Sequence, residues 1–250
     1  MVNIYWTLAG GPAVPAEPTS LAQTLSVAEQ IHLQTLRFPR RRADWLLGRW
    51  VAKHLLRTAD QRLQGVEVQR ISILRSAQGS PQVWVSPENP FPVSLSLSHR
   101  DGWVACALAL APDLALGIDL EVIEPRPRAF VEDFFTFEEL KFLQGLPAPQ
   151  QPLAVTLIWS LKEAVLKALR VGLTWDTRRV NVRLPSGLPS DSSWRAAQIS
   201  VRGIHASWHA WWCVVGQKVL TLAVCAENVP EALIYVPLRH AHPVHQSMGL

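Results

Sequence analysis

The sequence predicts an α+β fold of two comparable lobes. Three observations support this. Apolar residues recur with period two in some segments and with helical spacing in others, in each half of the chain. Strand patterns are joined by short turn signals, which implies antiparallel neighbours. The run Ala111-Pro112-Asp113 interrupts the pattern near the middle, dividing residues 1–112 from 113–250. A chain of 250 residues suffices for one large domain or two small ones with a substantial core.

Val2 to Leu8 (VNIYWTL) reads as the first strand, followed by the Pro-rich loop GGPAVPAEPTS. A helix is expected from about Ser26, whose hydroxyl caps it with Glu29 three residues on. After Pro39 comes a strong helix with Trp45, Leu46, Trp50, Ala52, Leu55 and Leu56 as its apolar stripe. Val66 to Leu74 alternates like a strand, SAQGSP is a turn and QVWV a short strand. Ser94 to Ser98 alternates serine with leucine. HRDG then turns the chain into WVACALAL, giving a hairpin with His99 in its turn. In the second half GIDLE is a strand, and helices follow around Phe130 to Phe135, from Thr136 (with Glu139 completing a capping box) and from Leu153 to Leu169. Strands and turns end with QKVLTLAVCAE, and the polar, His-rich segment from about residue 238 reads as a mobile tail rather than a metal tract.

Net charge is +4, from 24 Lys+Arg against 20 Asp+Glu, too small an excess to imply nucleic acid. The positive charge is concentrated instead at Arg37, Arg40, Arg41, Arg42, Arg49, Lys53 and Arg57, a cluster suited to a phosphate, to an acidic protein, or to solvent. Cys106, Cys213 and Cys225 lack metal-ligand spacing and read as buried free thiols of a reducing cytoplasm. The N-terminus lacks a signal-peptide pattern, and no run approaches the roughly 20 apolar residues of a membrane span, so no membrane partner is expected.

Within GIDLEVIEP, Asp119 and Glu121 stand two apart on a strand and so project from one face, with Ile118, Leu120 and Val122 on the other. Adjacent carboxylates raise each other's cost of ionisation. A metal ion, a nearby basic group or solvent must compensate them. On the last long helix, Glu163 and Lys167 share a face one turn apart, which alone describes an ordinary helical ion pair.

Taken in order, SLSH, GIDLE and WSLKEAVLKA resemble the motifs of the 4'-phosphopantetheinyl transferases of the larger, surfactin-synthetase-activating type. The likeness runs from about Arg37 to Leu184, backed by the basic helix and the turn at Gly79. It implies two α+β lobes related by a pseudo-twofold axis, binding coenzyme A in the cleft between them. The implied reaction moves phosphopantetheine from coenzyme A to a serine of an apo acyl, peptidyl or polyketide carrier protein. Asp119, Glu121 and Glu163 would hold Mg²⁺ (or Mn²⁺), since hard cations take oxygen ligands. Glu163 and Lys167 would be catalytic. Asp119 and Lys167 would touch coenzyme A, with Arg37, Arg42, Arg75, Ser98 and His99 toward its phosphates and nucleotide. Family members commonly have Gly-Lys-Pro where this chain has Gly79-Ser80-Pro81, which removes one cationic contact. Phe134 to Glu139 matches the variable region where the carrier docks. The resemblance also implies a monomer. Acids beside basic groups equally suit a metal-dependent phosphodiesterase or nuclease, and a non-catalytic carrier-binding module is the third reading.

Overall fold

The computed structural model describes residues 2–11, 21–185, 187–189 and 191–238. The described chain forms two compact units, residues 2–114 with 230–238, and residues 115–229. The His-rich tail lies outside the described residues.

The first unit runs β1 (Ile4–Gly10), α1 (Val27–Thr35), α2 (Pro39–Ala59), β2 (Ser72–Arg75), β3 (Pro81–Trp84), β4 (Ser94–Arg100) and β5 (Trp103–Ala109). Its sheet has β5 between β1 and β4, with β2 and β3 as a separate antiparallel ribbon. The last strand of the chain, β11 (Leu233–Tyr235), returns to pair in parallel with β1. The α2 helix starts with Pro39 at its first turn, where a missing N–H costs nothing. It buries Trp50, Val51, Leu55 and Leu56 among Ile73, Val104 and Leu108. Each fully buried aliphatic side chain contributes about 1.5–3 kcal/mol.

In the second unit the order is β6 (Ala115–Val122), α3 (Arg128–Phe134), α4 (Phe137–Gln144), α5 (Gln151–Ala168), β7 (Val180–Arg183), β8 (Arg195–Val201), β9 (Trp208–Val215) and β10 (Lys218–Cys225). One sheet holds them in the order β6-β10-β9-β8-β7, antiparallel throughout. The α5 helix packs on β6 and β10 and buries Leu157, Ile158, Leu161, Val165 and Leu166. The α+β class with antiparallel sheets expected from the sequence is what the chain forms.

Both units repeat one chain path: a first strand, helices, then four strands whose last pairs antiparallel with the first. They also repeat one buried brace. Ser26 and Glu29 form the capping box of α1. The Glu29 carboxylate also accepts from the Ile73 N–H and the ammonium of Lys53 on α2. Thr136 and Glu139 do the same for α4, with the Val182 N–H and Lys162 of α5. Lys53 and Lys162 are both fully buried.

The first brace explains one departure from the expected elements. Val66 to Leu74 is not one strand: Val68–Arg70 is a 3₁₀ turn, and β2 begins only at Ser72. The Val68 carbonyl accepts from the Lys53 ammonium and the Ile71 N–H, which draws the backbone out of a ladder. His99 also departs from its expected place. It lies in β4, paired with Val104, and the turn itself is Asp101-Gly102.

Candidate functional site

The acids and the lysine singled out from the sequence come together on β6 and α5. Gly117 makes this possible: a Cβ there would collide with the backbone oxygen of Ala164, so only glycine lets α5 lie this close to β6. The contact sets Glu163 and Lys167 of α5 beside Asp119 of β6.

Asp119 is buried and held at both oxygens. Lys167 Nζ donates to Oδ1 at 2.7 Å and also reaches the Ile118 carbonyl at 3.2 Å. Ser160 Oγ donates to Oδ2 at 2.7 Å and lies 2.8 Å from Thr221 Oγ1 on β10. The helical lysine thus serves β6, where helix spacing alone had suggested a pair with Glu163. Glu121 is also held at both oxygens, by the Trp159 indole N–H (3.3 Å) and by Arg126 Nη2 (3.1 Å).

Glu163 differs from both. Its Oε1 is buried and has no hydrogen-bond partner among the described residues. Burial first, and then the nearby Asp119 charge, push its carboxyl up to about 7, while Lys167 pulls the other way and Glu121 adds to the rise. A buried carboxylate oxygen without a donor, facing a second carboxylate, is a chemical fit for a hard cation. No group of three or more His, Cys, Asp or Glu among the described residues is arranged to hold a metal ion, and Asp119 and Glu121 are each paired with a cationic side chain.

The remaining candidates belong to the first unit. Ser98 is buried and His99 exposed on β4, with the His99 ring approaching Gly48 of α2. Arg75 ends β2 in the open, before the turn at Gly79, whose φ of 87° suits glycine. Arg42 spends its Nη1 on the Leu33 and Leu36 carbonyls at the end of α1, so part of its capacity is structural. Arg37 is exposed. Sequence reasoning passed over Arg126, Ser160 and Thr221. Arg126 sits in an irregular segment with no periodicity to point at Glu121, though the alternation of acids and arginine in EVIEPR was a faint signal. Within the basic cluster, Arg49 is the arginine drawn furthest into the brace of the first unit. It stacks on Trp45 at 4.5 Å and lies 3.7 Å from Glu29, and burial lowers its guanidinium to about 10.

Residues 115–225 match the family model of the 4'-phosphopantetheinyl transferase superfamily. The chain is 30% identical over 139 residues to the 4'-phosphopantetheinyl transferase psf-1 of Bacillus pumilus, covering 56% of this chain and 55% of that one. It is 30% identical over 130 residues to the 4'-phosphopantetheinyl transferase of Bacillus subtilis, covering 52% and 55%. A human L-aminoadipate-semialdehyde dehydrogenase-phosphopantetheinyl transferase is 24% identical over 195 residues, covering 74% and 61%. The chain spans about half the length of the two Bacillus relatives it matches. The matched segment holds Asp119, Glu121, Glu163 and Lys167 together, and it is this segment, residues 115–225, that is similar to the 4'-phosphopantetheinyl transferase superfamily.

Proposed function

We propose that the chain transfers the 4'-phosphopantetheine group of coenzyme A to a serine of an apo acyl, peptidyl or polyketide carrier protein, releasing adenosine 3',5'-bisphosphate. The observation that carries this reading is the joint placement of Asp119, Glu163 and Lys167, within the family-matched segment. A bond forms between the serine oxygen and the phosphorus bearing pantetheine, and the diphosphate P–O bond breaks. In the ion-free site Glu163, raised to about 7, is partly ionised at neutral pH, and it is the candidate to take the serine proton. Lys167 offsets negative charge gathering on the leaving bisphosphate. Asp119 and Glu163 would hold Mg²⁺ or Mn²⁺, with Glu121 as a further oxygen donor. Such an ion, when bound, screens charge on the diphosphate.

In this proposal Arg37, Arg42, Arg75, Ser98 and His99 serve the phosphate and nucleotide end of coenzyme A. The carrier docks around Phe134 to Glu139, where Phe137 is 78% exposed. The chain acts as a monomer in the cytoplasm. Among the described residues no helix is long and apolar enough to cross a membrane, and Cys106, Cys213 and Cys225 are free thiols. Neither the phosphodiesterase reading nor the non-catalytic one has an observation in its favour. Incubation with coenzyme A, Mg²⁺ and a panel of apo carrier proteins is expected to add about 340 Da to at least one carrier, the mass of the transferred group. No gain on any carrier overturns the proposal.

A further inference from the structure

Arg126 stands next to the acids without belonging to any motif. Its Nη2 lies 3.1 Å from Glu121 Oε2 and 3.2 Å from Glu124 Oε1. The guanidinium lies over the Phe130 ring at 5.5 Å, and that ring packs edge-on against Trp159, whose indole donates to the other Glu121 oxygen. The Arg126 side chain is only 18% exposed, and its Nε is buried without a hydrogen-bond partner among the described residues. A half-buried guanidinium that leaves its buried Nε donor unused is not placed to maximise hydrogen bonding. Its placement is explained by charge.

We propose that Arg126 is a positioning residue for Glu121: an internal counter-cation that competes with a divalent ion for that carboxylate and so weakens ion binding. The inference rests on the reading of Asp119, Glu121 and Glu163 as an ion site. Two like-charged ligands of one carboxylate repel each other, and partial burial strengthens the repulsion. Glu124 gives the device its second position. The same Nη2 already reaches both carboxylates, so Arg126 can yield Glu121 and remain paired. A role confined to packing or orientation gives the opposite sign, because loosening Glu121 would weaken ion binding.

The test is direct binding of Mn²⁺, followed by electron paramagnetic resonance of the free ion, on the full chain without coenzyme A or carrier. Arg126→Gln removes the charge. Arg126→Met also removes it while keeping an unbranched apolar stem on Phe130, and so serves if the glutamine variant folds poorly. Arg126→Lys keeps the charge. The neutral variants are expected to bind Mn²⁺ at least about fivefold more tightly than the parent chain, with the lysine variant close to the parent. Glu121→Gln added to Arg126→Met should abolish the gain. Equal or weaker Mn²⁺ binding in the neutral variants overturns the role of Arg126. Carrier modification in the parent chain is scored separately, so failure here is distinguishable from failure of the transfer reading. Absence of Mn²⁺ binding in every variant overturns both this proposal and the ion site.

Discussion

The two units share a chain path and a buried brace, and they differ in what stands on it. In each, a capping-box glutamate holds a backbone N–H of a strand, that of Ile73 in β2 for Glu29, 44 residues on, and that of Val182 in β7 for Glu139, 43 residues on. In each, a fully buried lysine from the long helix completes the brace, with a tryptophan three residues before it, Trp50 or Trp159. The next helical residue is where they part. It is His54 in the first unit, its ring tilted against Trp50 at 4.3 Å, and Glu163 in the second. The first strands of the two units part in the same way: β1 (IYWTLAG) holds no acid, whereas β6 carries Asp119 and Glu121. The brace and the chain path are thus common to both units, and acids at these positions are found in the second alone.

The largest expected effect removes what the first unit lacks. Asp119→Ala should lower carrier modification by at least about a thousandfold, the scale for losing a charge-stabilising group in a buried site. The fold should survive with a thermal midpoint lower by a few degrees, because Ser160 keeps Thr221 and Lys167 keeps the Ile118 carbonyl. Mass spectrometry of the carrier and a melting curve check the two halves of this expectation. Substantial activity in the variant would take Asp119 out of the site.

The second comparison sets brace against brace. Lys162→Met leaves Glu139 buried with the Thr136 and Val182 N–H groups, and should cost about 3–5 kcal/mol, as for one half of a buried ion pair. Lys53→Met strands Glu29 in the same way, but Arg49 remains 3.7 Å from its carboxylate. The cost in the first unit should therefore be smaller by about 1–2 kcal/mol. Denaturant unfolding of the two variants measures the difference. An equal cost would mean that Arg49 contributes nothing to the brace.

These comparisons also separate what the sequence disclosed from what it hid. Both capping boxes were legible, because a hydroxyl and a glutamate three residues apart state their purpose locally. The long helices were legible within two residues at each end. The shared face of Asp119 and Glu121 followed from strand period, and the motifs tied Glu163 and Lys167 to them. The repeat was hidden, because the units share contacts and chain path rather than residue runs. The partners of Glu29 and Glu139 lie 23 to 44 residues away, beyond any periodic pattern. The Arg126 contact, only five residues from Glu121, was hidden for a different reason: an irregular segment has no face to read. The return of β11 to β1 joins residues more than 220 apart and leaves no local trace.

The smallest expected effect concerns stability rather than activity, and it again isolates Glu163 from its counterpart. Burial and the Asp119 charge raise its carboxyl from 4.5 to about 7 in the folded chain. Between those values the folded state binds more protons than the unfolded one, so stability falls as pH rises through that window. The penalty is absent below about 4.5 and complete above about 7. Glu163→Gln removes it. The variant should melt together with the parent at the acid end and above it at pH near 8, with the gap opening across the window. In an Asp119→Asn background the gap should narrow without closing, because burial is the larger cause and stays. A gap that is constant with pH would mean that Glu163 titrates normally, and would remove the reason for assigning it the serine proton.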